Sequence, residues 1–284
     1  VSLFRPRLMS LLFTMLAAAS LPAAAQTLRV MSFNVRTPMA ADGPNRWEAR
    51  RDIFVRTVRE QHPDLMGTQE LHKEQGDYVV SKLPEYTWFG IDRFGGHADE
   101  HMGVFYRKDV LRLKDSGNFW LSDTPDKPGS ITWGHPLPRM VTWALFEQIA
   151  TGRTFYYYNT HLPYREEDEP ARLKGAKEIV ARIAALPKGV PFILTGDLNT
   201  TPSSETYALL TKTLQDARVA SPKVEGPEKT FHNFTGQPDQ RIDFILTRGF
   251  TPTHYATVTT QEAGRYPSDH FPVVTDLTWT ASKP

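Results

Sequence analysis

From residue 27 onward, short apolar runs rich in β-branched and aromatic residues recur at close intervals, bounded by Gly, Pro or Asp. Such runs predict strands. They fall at residues 27–35, 64–70, 86–91, 102–107, 141–148, 153–162, 191–199, 241–247, 254–260 and 271–279. Two stretches carry the helical period instead. Residues 45–61 place Ile53, Phe54, Thr57, Val58 and Gln61 on one side, and Pro63 then stops the helix. Residues 169–186 repeat Leu173, Ala176, Val180 and Ile183 at the spacing of a helix lying on a sheet. A shorter helix is predicted over 203–211, entered through Thr201, Pro202 and Ser203. About ten strands with helices interspersed in both halves predict an α+β sandwich of two packed sheets flanked by helices. With 284 residues, no internal repeat and no linker, one domain is the simplest count.

The first 25 residues follow another pattern. Arg5 and Arg7 precede an apolar stretch from Leu8 to about Leu21, and Ala23, Ala24 and Ala25 stand before Gln26. Basic start, short apolar centre and small residues together predict a secretory signal cleaved after Ala25. The apolar stretch is shorter than the ~20 residues that span a bilayer. The expectation is therefore an exported protein, periplasmic or secreted, with residues 26–284 as one domain and no membrane anchor after cleavage. No cysteine is present, which excludes disulfides and a thiol nucleophile. The chain has 33 basic and 32 acidic residues, and without Arg5 and Arg7 the balance is 31 to 32. A non-specific nucleic-acid binder carries a basic surplus to neutralise phosphates. None shows in this total.

Chemistry enters at the strand ends. Asn34 closes "MSFNVR", Glu70 closes "DLMGTQE", and Asn159 and His161 stand two apart in "FYYYNTHL". Asp197 and Asn199 stand two apart in "PFILTGDLN", and would share one side if the extended chain continued. Turn chemistry is the alternative there, because Asp and Asn both favour turns. Asp243 interrupts "RIDFIL", and Asp269 and His270 precede the last core strand in "YPSDHFPVV". An unpaired buried carboxylate costs several kcal/mol, so six unrelated interruptions would be hard to stabilise. They become sensible around one metal ion and one anionic group.

The motifs "SFNVR", "TQE", "NTHL", "GDLN", "RIDFIL" and "SDHFPV", in that order, resemble the endonuclease/exonuclease/phosphatase superfamily from about Arg29 to Trp279. "FWLSDTPD" and "PRMVTW" look like an exported bacterial branch of metal-dependent hydrolases. The resemblance implies a four-layer α/β/β/α sandwich and an Mg2+-dependent phosphoesterase, with Mn2+ as a substitute. It gives Glu70 as the first metal ligand, Asp269 as the second carboxylate and Asn34 near the metal or its waters. His270 would be oriented by Asp243, and His161 would bond a phosphoryl oxygen. Asp197 and Asn199 would hold the attacking water and the phosphate in line. The general base stays open between Asp197 and the His270–Asp243 pair. Arg139 is the candidate for a bidentate phosphate contact.

Four functions compete. The first is an exported phosphoesterase, monomeric, acting on a small or glycan-linked phosphodiester or phosphomonoester. The second is a secreted nuclease on DNA or RNA, and the third a phospholipase of the sphingomyelinase type, for which no unaccounted apolar loop is evident. The fourth is a non-catalytic module that binds a phosphoryl ligand. Three lesser expectations accompany them. Glu100 of "HADEH" should lie near the site without building a second one. Arg46, Arg50, Arg51, Arg56 and Arg59 should form the wet face of a helix. Trp120, Trp133 and Tyr164 should sit in loops able to stack on a sugar or base.

Overall fold

The computed structural model describes residues 27–39 and 41–280. The predicted signal, residues 1–25, lies outside the described residues. In chain order the elements of the first half are β1 (Thr27–Asn34), α1 (Trp47–Gln61), β2 (Leu65–Gln69), α2 (Lys73–Lys82), β3 (Tyr86–Phe89), β4 (Val104–Arg107), β5 (Leu111–Trp120) and β6 (Met140–Gln148). Then follow β7 (Arg153–His161), α3 (Glu169–Ala185), β8 (Phe192–Asp197), α4 (Glu205–Leu210), β9 (Gln215–Asp216), α5 (Ala217–Ala220), β10 (Val224–Glu225), β11 (Asp243–Arg248), β12 (Phe250–Thr257) and β13 (Val273–Trp279).

The strands form two mixed sheets, ordered β10-β12-β13-β1-β2-β4-β3 and β5-β6-β7-β8-β11-β9. They pack face to face with helices outside, the expected sandwich. Alternation along each strand divides its side chains between layers. Leu28 and Val30 of β1 join Leu65, Val104, Phe146, Phe155, Tyr157, Ile193 and Ile245 between the sheets. Met31 and Phe33 of the same strand face outward against Phe54 and Val58 of α1. On the other flank Ile179 and Ile183 of α3 cover Tyr158, Phe192, Leu194 and Phe244. Central strands are thus buried on both faces, which is why they read as near-continuous apolar runs.

Several expectations need correction. β5 was not anticipated, because its middle, Lys114 to Ser116, is polar and mostly exposed at a sheet edge. α2 was missed because "KEQGDYVVSK" buries only Gln75, Gly76 and Val79. In α3 the buried stripe holds Arg172, Ala176, Ile179 and Ile183, while Leu173 and Val180 lie at its margin. Arg50 is not on a wet face; its side chain is fully buried. Its guanidinium donates to the carbonyls of Asn45, Val35, Pro267 and Arg36 at 2.6–2.9 Å. One buried cation thereby ties the chain after β1 to the loop that carries Asp269 and His270.

Candidate active site

β1 and β2 run parallel, as do β7 and β8. Their carboxyl ends therefore lie on the same side of their sheets, and the antiparallel β11 and β13 begin there. The register places His161 beside Asp197 and Asp243 opposite Asp197. A cavity of about 460 Å³ opens at this end, lined among others by Glu70, Arg139, His161, Asp197, Asn199, Asp269 and His270. The backbone is strained here. Arg36, Glu70, Asn199 and Asn233 all line the cavity, and all have positive φ, between 46° and 61°. For non-glycine residues this left-handed conformation costs ~1–2 kcal/mol each.

The hydrogen bonds define roles. Asn34 Nδ2 donates to Glu70 Oε1 at 3.1 Å and to Asp197 Oδ2 at 3.0 Å. Its Oδ1 accepts the Arg36 N–H at 2.9 Å. Asn34 thus spaces two carboxylates, with its amide oxygen already engaged by the backbone. Glu70 Oε2 accepts the Thr37 N–H at 3.0 Å. Burial pushes the Glu70 pKa up, but Thr37, His270, Asn34 and Arg36 outweigh it and hold the carboxylate below its usual range. His270 Nδ1 bonds Asp243 Oδ2 at 2.9 Å, while its Nε2 lies 3.8 Å from Asp197 Oδ2. Burial disfavours the imidazolium, yet Asp243, Asp197 and Asp269 prevail and raise the His270 pKa to about 10. His161 Nε2 lies 3.5 Å from Asp197 Oδ2. Burial, with Arg139 and His270 nearby, pushes the His161 pKa far down, so it stays neutral.

Asp197 and Asn199 answer to both readings of "GDLN". The strand ends at Asp197, and Asn199 turns left-handed, its N–H donating to Asp197 Oδ1 at 2.9 Å. Its side chain donates to the Leu162 carbonyl at 3.0 Å. The pair is a turn, and both members also line the cavity. Burial and the Asp243 charge raise the Asp197 pKa to about 7. Asp269 is likewise raised, by burial and by Glu70, against the pull of His270, Arg36 and Arg50. Arg139 is buried, and its Nη1 has no hydrogen-bond partner among the described residues. A guanidinium enclosed without a partner is costly unless a ligand completes it.

The donor set suits a hard divalent cation, which prefers oxygen. Glu70, Asp197, Asp269 and Glu100 line one cavity, and burial plus the Glu70 charge raises the Glu100 pKa to about 7. A cation would relieve this crowding. Glu70 and Asp269 both line the cavity, near enough for the Glu70 charge to raise the Asp269 pKa. The tightest grouping of ligand atoms among the described residues is another one, Asp197, Asp243 and His270, whose atoms lie within 4.8 Å of one another.

Other residues escaped the sequence reading. Arg36 lies 3.6 Å from Asp269 Oδ2, and Ser268 Oγ bonds both the Asn34 carbonyl and Asp269 Oδ1. Both stand inside quoted motifs, so a signal was there. Arg93 lines the cavity from a loop that carries no such signal. Trp120 is corrected: it lies at the end of β5, buried against Met102 and Met140, its Nε1 bonded to the Arg93 carbonyl. Trp133 packs against the cluster beneath α3 and bonds Asp123. Tyr164 alone of the three lines the cavity, exposed by 55%.

His270 carries a prediction of its own. In the metal-free protein its ring proton signals should titrate near pH 10. In Asp243→Asn the midpoint should fall toward the ~6.5 of free histidine. The folded pKa lies above the unfolded one, so the stability this group contributes is complete below pH ~6.5 and is lost as pH rises toward 10. An NMR titration with the same midpoint in both proteins would contradict the pairing.

Residues 31–270 match the Endonuclease/Exonuclease/phosphatase family. A family protein of Bacteroides thetaiotaomicron superposes with a TM-score of 0.85 and 30% identity, over 90% of this chain and 98% of that one. A mannosyl-6-phosphatase of the same species gives 0.83 and 30% identity, over 89% of this chain and 100% of that one. An uncharacterized protein of Acanthamoeba polyphaga mimivirus is 26% identical over 163 residues, covering 55% of this chain and 60% of that protein. The family match spans the strand ends that build the cavity, from Asn34 to His270, and its members are divalent-metal-dependent phosphoric ester hydrolases. The chain belongs to the Endonuclease/Exonuclease/phosphatase family.

Proposed function

We propose that the protein is an exported, monomeric, Mg2+-dependent phosphoesterase acting on a small or glycan-linked phosphoester, with a sugar phosphomonoester favoured. The observation that carries this reading is the buried, unpartnered Arg139 guanidinium in the cavity that also holds Asp197 and His270. A phosphoryl group supplies the acceptor oxygens Arg139 lacks. A cavity of about 460 Å³ is sized for a small ligand. The similar mannosyl-6-phosphatase supports a sugar phosphate as substrate. Export rests on the pattern of residues 1–25, and no helix among the described residues is long and apolar enough to cross a membrane.

Glu70 and Asp269 would hold Mg2+, which would neutralise charge on the phosphoryl and leaving oxygens. Asp197 accepts the proton of the attacking water; with its pKa near 7 it is a stronger base than an ordinary carboxylate. Asn34 and the Asn199 N–H fix the Asp197 oxygens. His270, held cationic by Asp243, donates toward the phosphoryl oxygens, and Arg139 grips the same group. His161 adds a neutral donor.

A panel of hexose phosphates, p-nitrophenyl phosphate, bis-p-nitrophenyl phosphate, DNA and sphingomyelin tests this reading. Hydrolysis of a small ester is expected with Mg2+, stopping with chelator. Turnover confined to DNA and falling steeply with salt would instead make the protein a nuclease. No turnover of any ester would leave a binding module.

A further inference from the structure

Arg93 and Glu100 line the cavity, yet none of the steps above uses them. Both belong to the loop between β3 and β4, and that loop is built to be rigid. The Asp92 carboxylate accepts the N–H groups of Phe94, Gly96, Ala98 and Asp99 at 2.7–3.1 Å. The Arg93 N–H bonds the Glu100 carbonyl at 2.9 Å, and the Arg93 carbonyl accepts Trp120 Nε1 at 2.7 Å. Arg93 Nη1 donates to Glu100 Oε2 at 2.8 Å, and Arg93 Nε lies 2.8 Å from Asp99. Arg93 Nη2 and Glu100 Oε1 make no hydrogen bond among the described residues. The two side chains are only 9% and 13% exposed. A donor and an acceptor are thus held side by side, nearly enclosed, on the wall of the cavity.

We propose that Arg93 and Glu100 form a hydroxyl-recognition subsite that selects a polyhydroxylated sugar phosphate, with Tyr164 as the apolar plate for the ring. The proposal rests on the phosphoesterase reading and names its substrate class. Glu100 Oε2 already accepts from Arg93 Nη1, so Oε1 is left for a ligand that donates a hydrogen bond to it. Adjacent hydroxyls both donate and accept, which matches the neighbouring Arg93 and Glu100 atoms. Tyr164, exposed by 55% and lining the cavity, offers a rigid aromatic face to sugar carbons.

Two measurements on the Mg2+-loaded protein test the subsite. In Glu100→Gln, the ratio of kcat/KM for a hexose 6-phosphate to that for p-nitrophenyl phosphate should fall about tenfold or more, the loss of one charge-assisted hydrogen bond. Calorimetry with a hexose 6-phosphonate and with inorganic phosphate should show the same loss of preference without turnover. Unchanged ratios in both measurements would overturn the subsite while leaving the phosphoesterase intact. A falling phosphonate preference in a protein that hydrolyses no ester would keep the subsite and overturn the enzymatic reading.

Discussion

Replacing Glu70, Asp197 or His270 by alanine lowers turnover by at least a hundredfold in each case, within the ~10²–10⁴ expected of positioned acid–base groups. The three losses have separate causes. Glu70→Ala removes the carboxylate that Asn34 and the Thr37 N–H hold ionised, the group that would hold the metal. Asp197→Ala removes the group whose pKa near 7 suits it to take the proton of water. His270→Ala removes a cation made permanent at neutral pH by Asp243. The stability effects differ in sign. The fold raises the Asp197 pKa through burial and the Asp243 charge, so in Asp197→Ala the thermal midpoint should hold or rise while kcat falls. The fold depresses the Glu70 pKa, so Glu70→Ala should also lose some stability, and His270→Ala leaves the buried Asp243 without its partner. Initial rates on the best ester of the panel, beside melting curves, check both halves. Wild-type rates in all three variants would refute the assignment.

Gly67→Ala and Asn159→Ala should each lower the melting temperature by about 10 °C, from ~3–4 kcal/mol of lost stability at ~2–4 °C per kcal/mol. Both sit where the two sheets meet behind the site. Asn159 is fully buried. Its Nδ2 donates to the carbonyls of Thr68 at 2.8 Å and Gly103 at 3.1 Å. Its Oδ1 accepts Gln69 Nε2 at 2.8 Å and Thr195 Oγ1 at 3.0 Å. One amide with all its valences used therefore joins β2, which leads to Glu70, to β7 and β8, which carry His161 and Asp197. Truncation leaves several buried partners unsatisfied. Gly67 leaves room for this network. A Cβ there would fall 2.5 Å from Asn159 Oδ1, and closer still to Thr195 Oγ1 and the Tyr157 hydroxyl. Calorimetric or circular-dichroism melting measures the effect, and a shift under 2 °C or so in both variants would show the sheets align without this bolt.

What could be read from the sequence follows from how burial writes itself into pattern. β1, β8 and β13 are covered on both faces and announced themselves as apolar runs ended by polar residues. Asn34, Glu70, Asp197, Asp243 and His270 could be named because each interrupts such a run. β5 hid because an edge strand exposes Lys114 to Ser116, and α2 because few of its residues need burial. Arg50 misled for a different reason: four backbone carbonyls, invisible to residue patterns, satisfy its charge inside the protein. Asn199 was readable as polar but not as left-handed, so its side chain points to Leu162 instead of sharing the Asp197 face. Glu100 was legible near the site from "HADEH", but Arg93 was not: its loop takes its order from Asp92, and loop order of this kind leaves no periodic trace.

The central claim is that Glu70 and Asp269 together hold a divalent cation beside Asp197 and His270. Electron paramagnetic resonance of added Mn2+ reads it directly, because bound Mn2+ leaves the free-ion signal. The account predicts saturable binding by the wild-type protein, displaced by Mg2+ and weakened at least tenfold in Glu70→Ala and in Asp269→Asn. Equal Mn2+ affinity in all three proteins would contradict it.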